Sequence, residues 1–246
     1  MAESWSGFSY IVTNLARFIR PDEVTFSGVN STPPMLACLL AKRAYDFDFI
    51  YLNVAGGVQP TPSTIPISSS DPVLAEGSTA IFGNEDFYDL CTRGRMDLCF
   101  LGAAQIDGEG RTNVSVIGNW HTPKVRLPGG GGGAVMLPTA RRAVTWRTEH
   151  STRTMVATLD FVTAAGGLSG VVTPIAVFVK RQGRLALQSW HPDASLEEVR
   201  QRTGFSFEAP DAAPTLRPSP KEVAALQTLD PTGQFERDAR ISLRER

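Results

Sequence analysis

The sequence predicts an α/β fold built on one mostly parallel sheet. Apolar segments of strand length alternate with segments of helical periodicity along most of the chain, and a strand–helix–strand unit stands near its beginning. Strands joined by a helix in this way favour a right-handed parallel crossover. Toward the C-terminus two apolar runs flank a short turn. This third observation adds an antiparallel hairpin to the predicted sheet.

The first elements are a helix and the β-α-β unit. Apolar residues recur with helical spacing over residues 7–19 and predict an amphipathic helix. Residues 23–28 follow as a strand, and the next helix has Thr32 as its predicted N-cap. A strand over residues 47–57 then ends at a pair of glycines.

The later elements continue the alternation. In chain order we expect a helix over 84–96, strands over 97–106 and 112–118, a short helix over 134–140, a strand over 142–146, hairpin strands over 173–179 and 184–190, and a capped helix over 195–204. From residue 208 onward the composition turns to Pro, Ala and charge. The sequence therefore predicts one domain over residues 1–246, in which residues 208–246 are a linker, a last short helix from about Ser219 and a charged tail.

Composition excludes several functional classes. The net charge of −1 gives no electrostatic reason to expect nucleic acid or an anionic membrane as a partner. Three cysteines without a CxxC motif predict neither a disulfide framework nor a zinc site, and the three histidines lack metal-ligand spacing. No apolar run has the length of a membrane span, and the N-terminus lacks a basic region before its apolar residues. We therefore expect a cytoplasmic protein without a metal.

A run of five glycines needs an explanation: Gly129, Gly130, Gly131, Gly132 and Gly133. Glycine loses the most backbone entropy on folding, so the run must serve a purpose. A flexible linker is excluded because apolar residues follow directly. A G-x-G-x-x-A dinucleotide loop is a poor fit because Pro128 interrupts the preceding strand. The remaining explanation is backbone that faces a ligand, where successive N–H groups bind an anion or a developing oxyanion.

Five segments in this order resemble the β subunits of class I CoA-transferases: "VTFSGVNSTPPMLACLLAKR", "FIYLNVAGG", "LGAAQIDGEGRTNVSVIG", "LPGGGGGAVML" and "HPDASLEEVRQRTGF". Within this family they are similar to the branch of steroid ring-cleaving hydrolases from sterol-degrading actinobacteria. The resemblance implies a Rossmann-like CoA-transferase fold. It also implies an α subunit as partner, commonly in an α2β2 tetramer, and an acyl-CoA substrate.

One departure from the family decides between its activities. Transferase β subunits carry a glutamate in an S-E-N-G or E-x-G stretch, which attacks the acyl-CoA thioester. The matching stretch here is residues 53–56, so Val54, give or take a residue, occupies the place of the glutamate. The side chain of valine has no nucleophilic group. The resemblance therefore implies the hydrolase branch, in which water opens the last ring of a degraded steroid-CoA by retro-Claisen cleavage. Coenzyme A is then part of the substrate, no separate cofactor is implied, and the general base is expected from the α subunit.

Candidate site residues follow from this chemistry. The backbone of Gly129–Gly133 would donate to the developing oxyanion and enolate, while Asn53 and Gln105 would position or polarise the substrate. Gly56 and Gly57 end a strand where open α/β sheets bind ligands. Each has a simpler alternative: loop hydrogen bonding for Asn53 and Gln105, a tight turn for the glycine pair, and a subunit interface for the run.

Two other function classes remain open. A true CoA-transferase would need a glutamate, and Glu76 is the only nearby one, in a polar loop. A non-enzymatic, metabolite-sensing domain would share the wider fold. Such a regulator would normally carry a helix-turn-helix, for which we expect the N-terminal segment to be too short.

Overall fold

The computed structural model describes residues 6–244, with side chains through residue 239. Within that range the α-helices are α1 Gly7–Ala16, α2 Thr32–Ala44, α3 Asn84–Thr92, α4 Gly133–Thr139, α5 Leu196–Arg202, α6 Pro220–Leu229 and α7 Gln234–Arg244. The strands are β1 Val24–Ser27, β2 Ile50–Asn53, β3 Gly57–Val58, β4 Ala80–Ile81, β5 Leu98–Gly102, β6 Gln105–Ile106, β7 Thr112–Asn113, β8 Val116–Gly118, β9 Pro123–Arg126, β10 Arg142–Trp146, β11 Leu168–Val172, β12 Ala176–Arg181, β13 Arg184–Trp190 and β14 Ala213–Pro214.

One ten-stranded sheet forms the centre, in the order β14-β13-β12-β11-β10-β5-β1-β2-β3-β4. Its inner block, β11-β10-β5-β1-β2, is parallel throughout. The hairpin β12–β13 joins this block antiparallel on one side, and the short β3 and β4 do so on the other. The pairs β6–β7 and β8–β9 form two separate ribbons. The predicted class, a mostly parallel α/β sheet with a C-terminal antiparallel hairpin, is confirmed.

Helices cover both faces of this sheet. Successive strand residues point to opposite faces, so Leu98 and Phe100 pack in one apolar cluster and Cys99 and Leu101 in another. The first cluster contains α1 and α2, and the second contains side chains of α3, α4 and α5. None of the helices among residues 6–244 is long and apolar enough to cross a membrane.

Several predicted boundaries move, for local reasons. Helix α2 begins at Thr32 with Ser31 as its N-cap, one residue earlier than predicted. The strand expected over 47–57 ends at Asn53, because Gly56 has a φ of +91° and turns the chain back into β3. The strand expected over 112–118 divides into β7 and β8, because the side chain of Asn113 accepts hydrogen bonds from the next two turn amides, those of residues 115 and 116.

The C-terminal segment, expected to be a linker, makes specific contacts with the body. Strand β14 extends the sheet beside β13. In α6, the buried Glu222 carboxylate accepts hydrogen bonds from the Arg17 guanidinium, each 2.9 Å, and from the Tyr45 hydroxyl, 2.8 Å. The segment that begins with many prolines and alanines is therefore hydrogen-bonded to the ends of the first two helices. The charged tail continues as α7, and its last residues, 245–246, lie outside the described range.

Candidate active site

The glycine run lies at the carboxyl end of the parallel strands, where open α/β sheets bind ligands. Helix α4 begins at Gly133 and returns the chain to the start of β10. A Cβ placed on Gly133 would lie 3.9 Å from the side chain of Leu101, near the end of β5. The run therefore lies beside the carboxyl end of β5.

Two glycines of the run are required by their backbone conformation. Gly129 has a φ of +95° and Gly131 a φ of +46°, which side-chain-bearing residues rarely adopt. A Cβ on either would meet no atom within 4 Å. Both residues therefore face open space.

Two others are required by packing. A Cβ on Gly130 would lie 2.8 Å from the Cβ of Ala134 and 3.0 Å from the methyl group of Thr163. A Cβ on Gly132 would lie 2.9 Å from the hydroxyl of Tyr88, on α3. The run thus alternates between glycines that turn the chain and glycines that let it pack closely.

The run presents free hydrogen-bond donors. The N–H of Gly129 donates to the carbonyl of Val114 at 2.8 Å. Among residues 6–244, the N–H groups of Gly130, Gly131 and Gly132 have no intramolecular acceptor. Gly131 is exposed and its two neighbours are half-buried. Successive free donors at an open strand end can bind an anionic oxygen.

Gln105 lies in a polar network beside the run. This largely buried side chain accepts a hydrogen bond from the Asn113 amide at 2.7 Å, and its own amide donates to Asp160 at 3.3 Å. The same Asp160 oxygen accepts from the N–H of Gly118 at 3.0 Å. Both ends of the Gln105 amide are engaged, so in this structure it orients the exposed carboxylate of Asp160.

Thr163 connects this network to the glycine run. Its hydroxyl shares a 2.7 Å hydrogen bond with Ser115 and accepts the N–H of Val114 at 3.0 Å. Its methyl group is the one that a Cβ on Gly130 would touch. The structure therefore brings Gln105 and the run into one region. Asp160, Asn113 and Thr163 were not identified from the sequence.

Asn53 shapes the turn after β2. Its side chain is fully buried, its amide donates to the carbonyl of Leu74 at 2.8 Å, and its oxygen accepts the N–H of Gly57 at 3.2 Å. A Cβ on Gly56 would lie 2.8 Å from the carbonyl of Phe82, and one on Gly57 would lie 2.9 Å from that of Leu74. Packing within the chain thus accounts for both glycines and for the amide of Asn53.

The turn residue to which the resemblance assigns the place of the family's glutamate is apolar. Val54 is half-buried against the cluster that contains Phe87. Aromatic contacts connect this turn to the run: Phe82 lies 6.2 Å from Phe87, which lies 5.4 Å from Tyr88, measured between ring centroids. Helix α3 therefore contributes Phe87 to the cluster around Val54 and Tyr88 to the surroundings of Gly132.

The other titratable candidates have structural partners. Hydrogen bonds from the hydroxyl and the backbone N–H of Ser63 lower the pKa of the exposed Glu76 in its loop. Burial lowers the pKa of His150 to about 3 and that of His191 to about 4. Thr173 bridges these two neutral rings, through its hydroxyl to His150 at 2.8 Å and its carbonyl to His191 at 2.9 Å. Both are packed core histidines.

Comparison with known proteins identifies the family. Residues 9–199 match the family model described as coenzyme A transferase. One of the subunits of the 3-oxoadipate CoA-transferase of Pseudomonas knackmussii is 31% identical, over 87% of this chain and 89% of the relative. A chain of the decarboxylase AibA/AibB is also 31% identical, with a TM-score of 0.87 over 95% of this chain and 98% of that one.

A third similar structure, Rhodococcus jostii RHA1 IpdAB, gives a TM-score of 0.82 at 21% identity, over 95% of this chain and 98% of that one, and shows a shared fold. The family resemblance and the fold that it implied are thus confirmed. This chain is a β subunit of the class I coenzyme A transferase family.

Proposed function

We propose that this chain is the β subunit of a heteromeric enzyme that cleaves a carbon–carbon bond of a CoA thioester by hydrolysis, without an enzyme-bound acyl intermediate. One feature carries the proposal: by the family resemblance, an aliphatic side chain, Val54, takes the place of the nucleophilic glutamate of the family's transferases. The half-buried apolar surroundings of Val54 support it, because a carboxylate would be desolvated there. Glu76 is an unsuitable replacement, since its carboxylate is bonded to Ser63 in an exposed loop.

The proposed reaction is a retro-Claisen cleavage. Water adds to a ring carbonyl, and the new oxyanion collapses to a carboxylate as the adjacent C–C bond breaks. The electron pair of that bond passes to the carbon next to the thioester, giving an enolate that is then protonated. The free N–H groups of Gly130–Gly132 are the donors that we assign to these negative oxygens.

In this proposal the remaining site residues act mainly by positioning other groups. Gln105 orients Asp160, whose exposed carboxylate can hold a proton-bearing group or water. Asn53, Gly56 and Gly57 fix the turn beside Val54. The general base comes from the α subunit. Partnership with such a subunit is supported by the names of the relatives, which are one subunit of a transferase and the paired proteins AibA/AibB and IpdAB.

The substrate class is the most specific part of the proposal. The assignment of a steroid-derived ring as substrate rests on the ordered segments that resemble the steroid ring-cleaving branch of the family, residues 101–113 above all. A second candidate is decarboxylation of an acyl-CoA, favoured by the 31% identity to the decarboxylase over 95% of this chain. Decarboxylation also breaks a C–C bond and leaves an enolate, so the same donors would serve it.

Product analysis of the reconstituted α–β complex separates the reactions. With a cyclic keto-acyl-CoA in water labelled on its oxygen, hydrolysis adds one labelled oxygen to the opened product. Decarboxylation releases carbon dioxide, and transfer moves CoA to an added carboxylic acid. Transfer as the main reaction would overturn the proposal. Full ring opening by the isolated β chain would overturn the requirement for an α subunit.

Trapping during turnover tests the missing nucleophile directly. Hydroxylamine or borohydride should leave the mass of the β chain unchanged, because no glutamyl-CoA forms on it. Val54→Glu restores a carboxylate and Val54→Leu is its control. Modification of Glu76 in the unsubstituted chain would restore the transferase interpretation.

A further inference from the structure

A second concave region lies outside the glycine site. It has a volume of about 360 Å³ and opens between residues 107–111, the loop at residues 165–166 and the turn of the β12–β13 hairpin. Three cations line it, Arg111, Lys180 and Arg184, against one carboxylate, that of Glu109. The region therefore carries an excess of positive charge.

Backbone contacts hold the loops of this pocket together. The Asp107 carboxylate accepts the N–H groups of Glu109 and Arg111, each at 3.0 Å. The N–H of Leu185 in the hairpin donates to the carbonyl of Gly108 at 2.8 Å. A Cβ on Gly108 would lie 3.1 Å from the ring of Phe205 and 3.3 Å from the guanidinium of Arg184, so the glycine makes room for both side chains. These contacts fix the 107–111 loop against the hairpin.

Two of the cations are not neutralised. Arg111 is paired with Asp107 at 2.7 Å and with Glu109 at 3.3 Å. The side chains of Lys180 and Arg184 have neither a hydrogen bond nor an ion pair with any residue in the range 6–239. Free ammonium and guanidinium groups at the wall of one concave region attract an oxyanion, and phosphate is a strong acceptor for both.

The pocket is close to the candidate active site. Arg111 precedes Asn113 of the polar network by two residues, and Ala165 follows Thr163 by two. At no more than about 3.6 Å per residue, each two-residue connection spans at most about 7 Å. Lys180, on β12, is three strands away from β5 in the sheet, a separation on the order of 15 Å. The pantetheine arm of CoA, which separates the thioester from the phosphates, can span this distance.

We propose that this pocket binds the phosphate groups of the CoA portion of the substrate. The proposal rests on the proposed function in one respect, that the substrate is a CoA thioester, and it is independent of the reaction that follows. Lys180 and Arg184 are the specificity residues, and the loops at 107–111 and 165–166 form the wall.

Titration calorimetry of the α–β complex with CoA tests this pocket. Lys180→Gln and Arg184→Gln should each raise the Kd for CoA about tenfold or more, the usual effect of losing a charged hydrogen bond. Arg181→Gln is a matched control, because Arg181 is the next residue on the same strand but pairs with Asp211 at 3.1 Å. It should leave the Kd nearly unchanged. All three variants should bind pantetheine, which lacks the phosphates, like the unsubstituted complex.

Kinetics give a second readout. Lys180→Gln and Arg184→Gln should raise KM for the CoA thioester, Arg181→Gln should not, and KM for the corresponding pantetheine thioester should stay constant in all three. An equal loss for both, or no loss for either, would overturn the pocket assignment. Inorganic phosphate that competes as well as CoA would show a general anion site and also overturn it. If CoA binds as described but transfer is the main reaction, the proposed function fails and the pocket stands. If CoA does not bind at all, both fail.

Discussion

Gly131→Ala separates a role in folding from a role at the reacting atoms. The φ of +46° costs an L-residue on the order of 1 kcal/mol. The new methyl group adds no clash, because no atom lies within 4 Å of its position. For a chain of this size such a loss lowers Tm by about 2–4 °C. Gly94→Ala is the matched control, since Gly94 has a φ of +66° and the same open surroundings.

Gly131→Ala and Gly94→Ala should lose similar stability but differ in activity. If the N–H groups of the run stabilise the oxyanion, a side chain at Gly131 displaces the substrate from its donors. Turnover should then fall by a factor on the order of 10²–10³, as when an oxyanion donor is lost, and further in Gly131→Val, whose branched side chain fills more of the space. Gly94→Ala should keep its turnover, because it lies in the loop between α3 and β5.

The assay compares melting temperature, assembly with the α subunit, kcat and KM for these three variants. Normal turnover in Gly131→Val would refute the reasoning, because it would show that the run lies away from the reacting atoms. Loss of assembly in both Gly131 variants would instead assign the run to the subunit interface.

Two predictions concern stability. Glu222→Gln leaves the Arg17 guanidinium without its buried carboxylate and should lower the free energy of unfolding by about 3 kcal/mol in urea denaturation. Glu198→Gln, which breaks an exposed helical pair, should cost no more than about 0.5 kcal/mol, and equal losses would contradict this account. Burial lowers the pKa of His150 and His191 from the ordinary 6.5 to about 3 and about 4, so the unfolded chain binds protons first as the pH falls. Stability should be fully present above pH 6.5 and should decline toward pH 4 by about 1.4 kcal/mol per pH unit for each histidine; in His191→Gln the slope should be roughly halved, and an unchanged slope would refute this prediction.

The sequence predicted the sheet because its inner strands and helices carry strong local patterns. The hairpin turn is one example: Gln182 and Gly183 both have positive φ, as the tight turn between two apolar runs requires. Strands β3, β4 and β14 have two residues each and therefore no periodicity to detect. Their pairing depends on the sheet edges that the rest of the fold provides.

The candidate site was predictable only in part, for a similar reason. The glycine run stands out in composition, and Gln105 lies in a segment that resembles the family. Asp160 and Thr163 come about fifty residues later, in a stretch without regular elements. Bridges between residues 106 and 155 and between residues 112 and 164 bring that stretch beside the first. No local signal encodes such a contact.

The ion pair between Arg17 and Glu222 joins residues 205 positions apart in the chain. Closing a loop of that length costs roughly 5 kcal/mol of chain entropy, so the pair can form only late in folding. During synthesis the apolar helices α1 and α2 leave the ribosome long before α6. Until then the Arg17 guanidinium has no Glu222 carboxylate to pair with. The nascent chain therefore carries an incompletely covered helical face until its last helices emerge. Until α6 covers it, that exposed apolar surface favours aggregation.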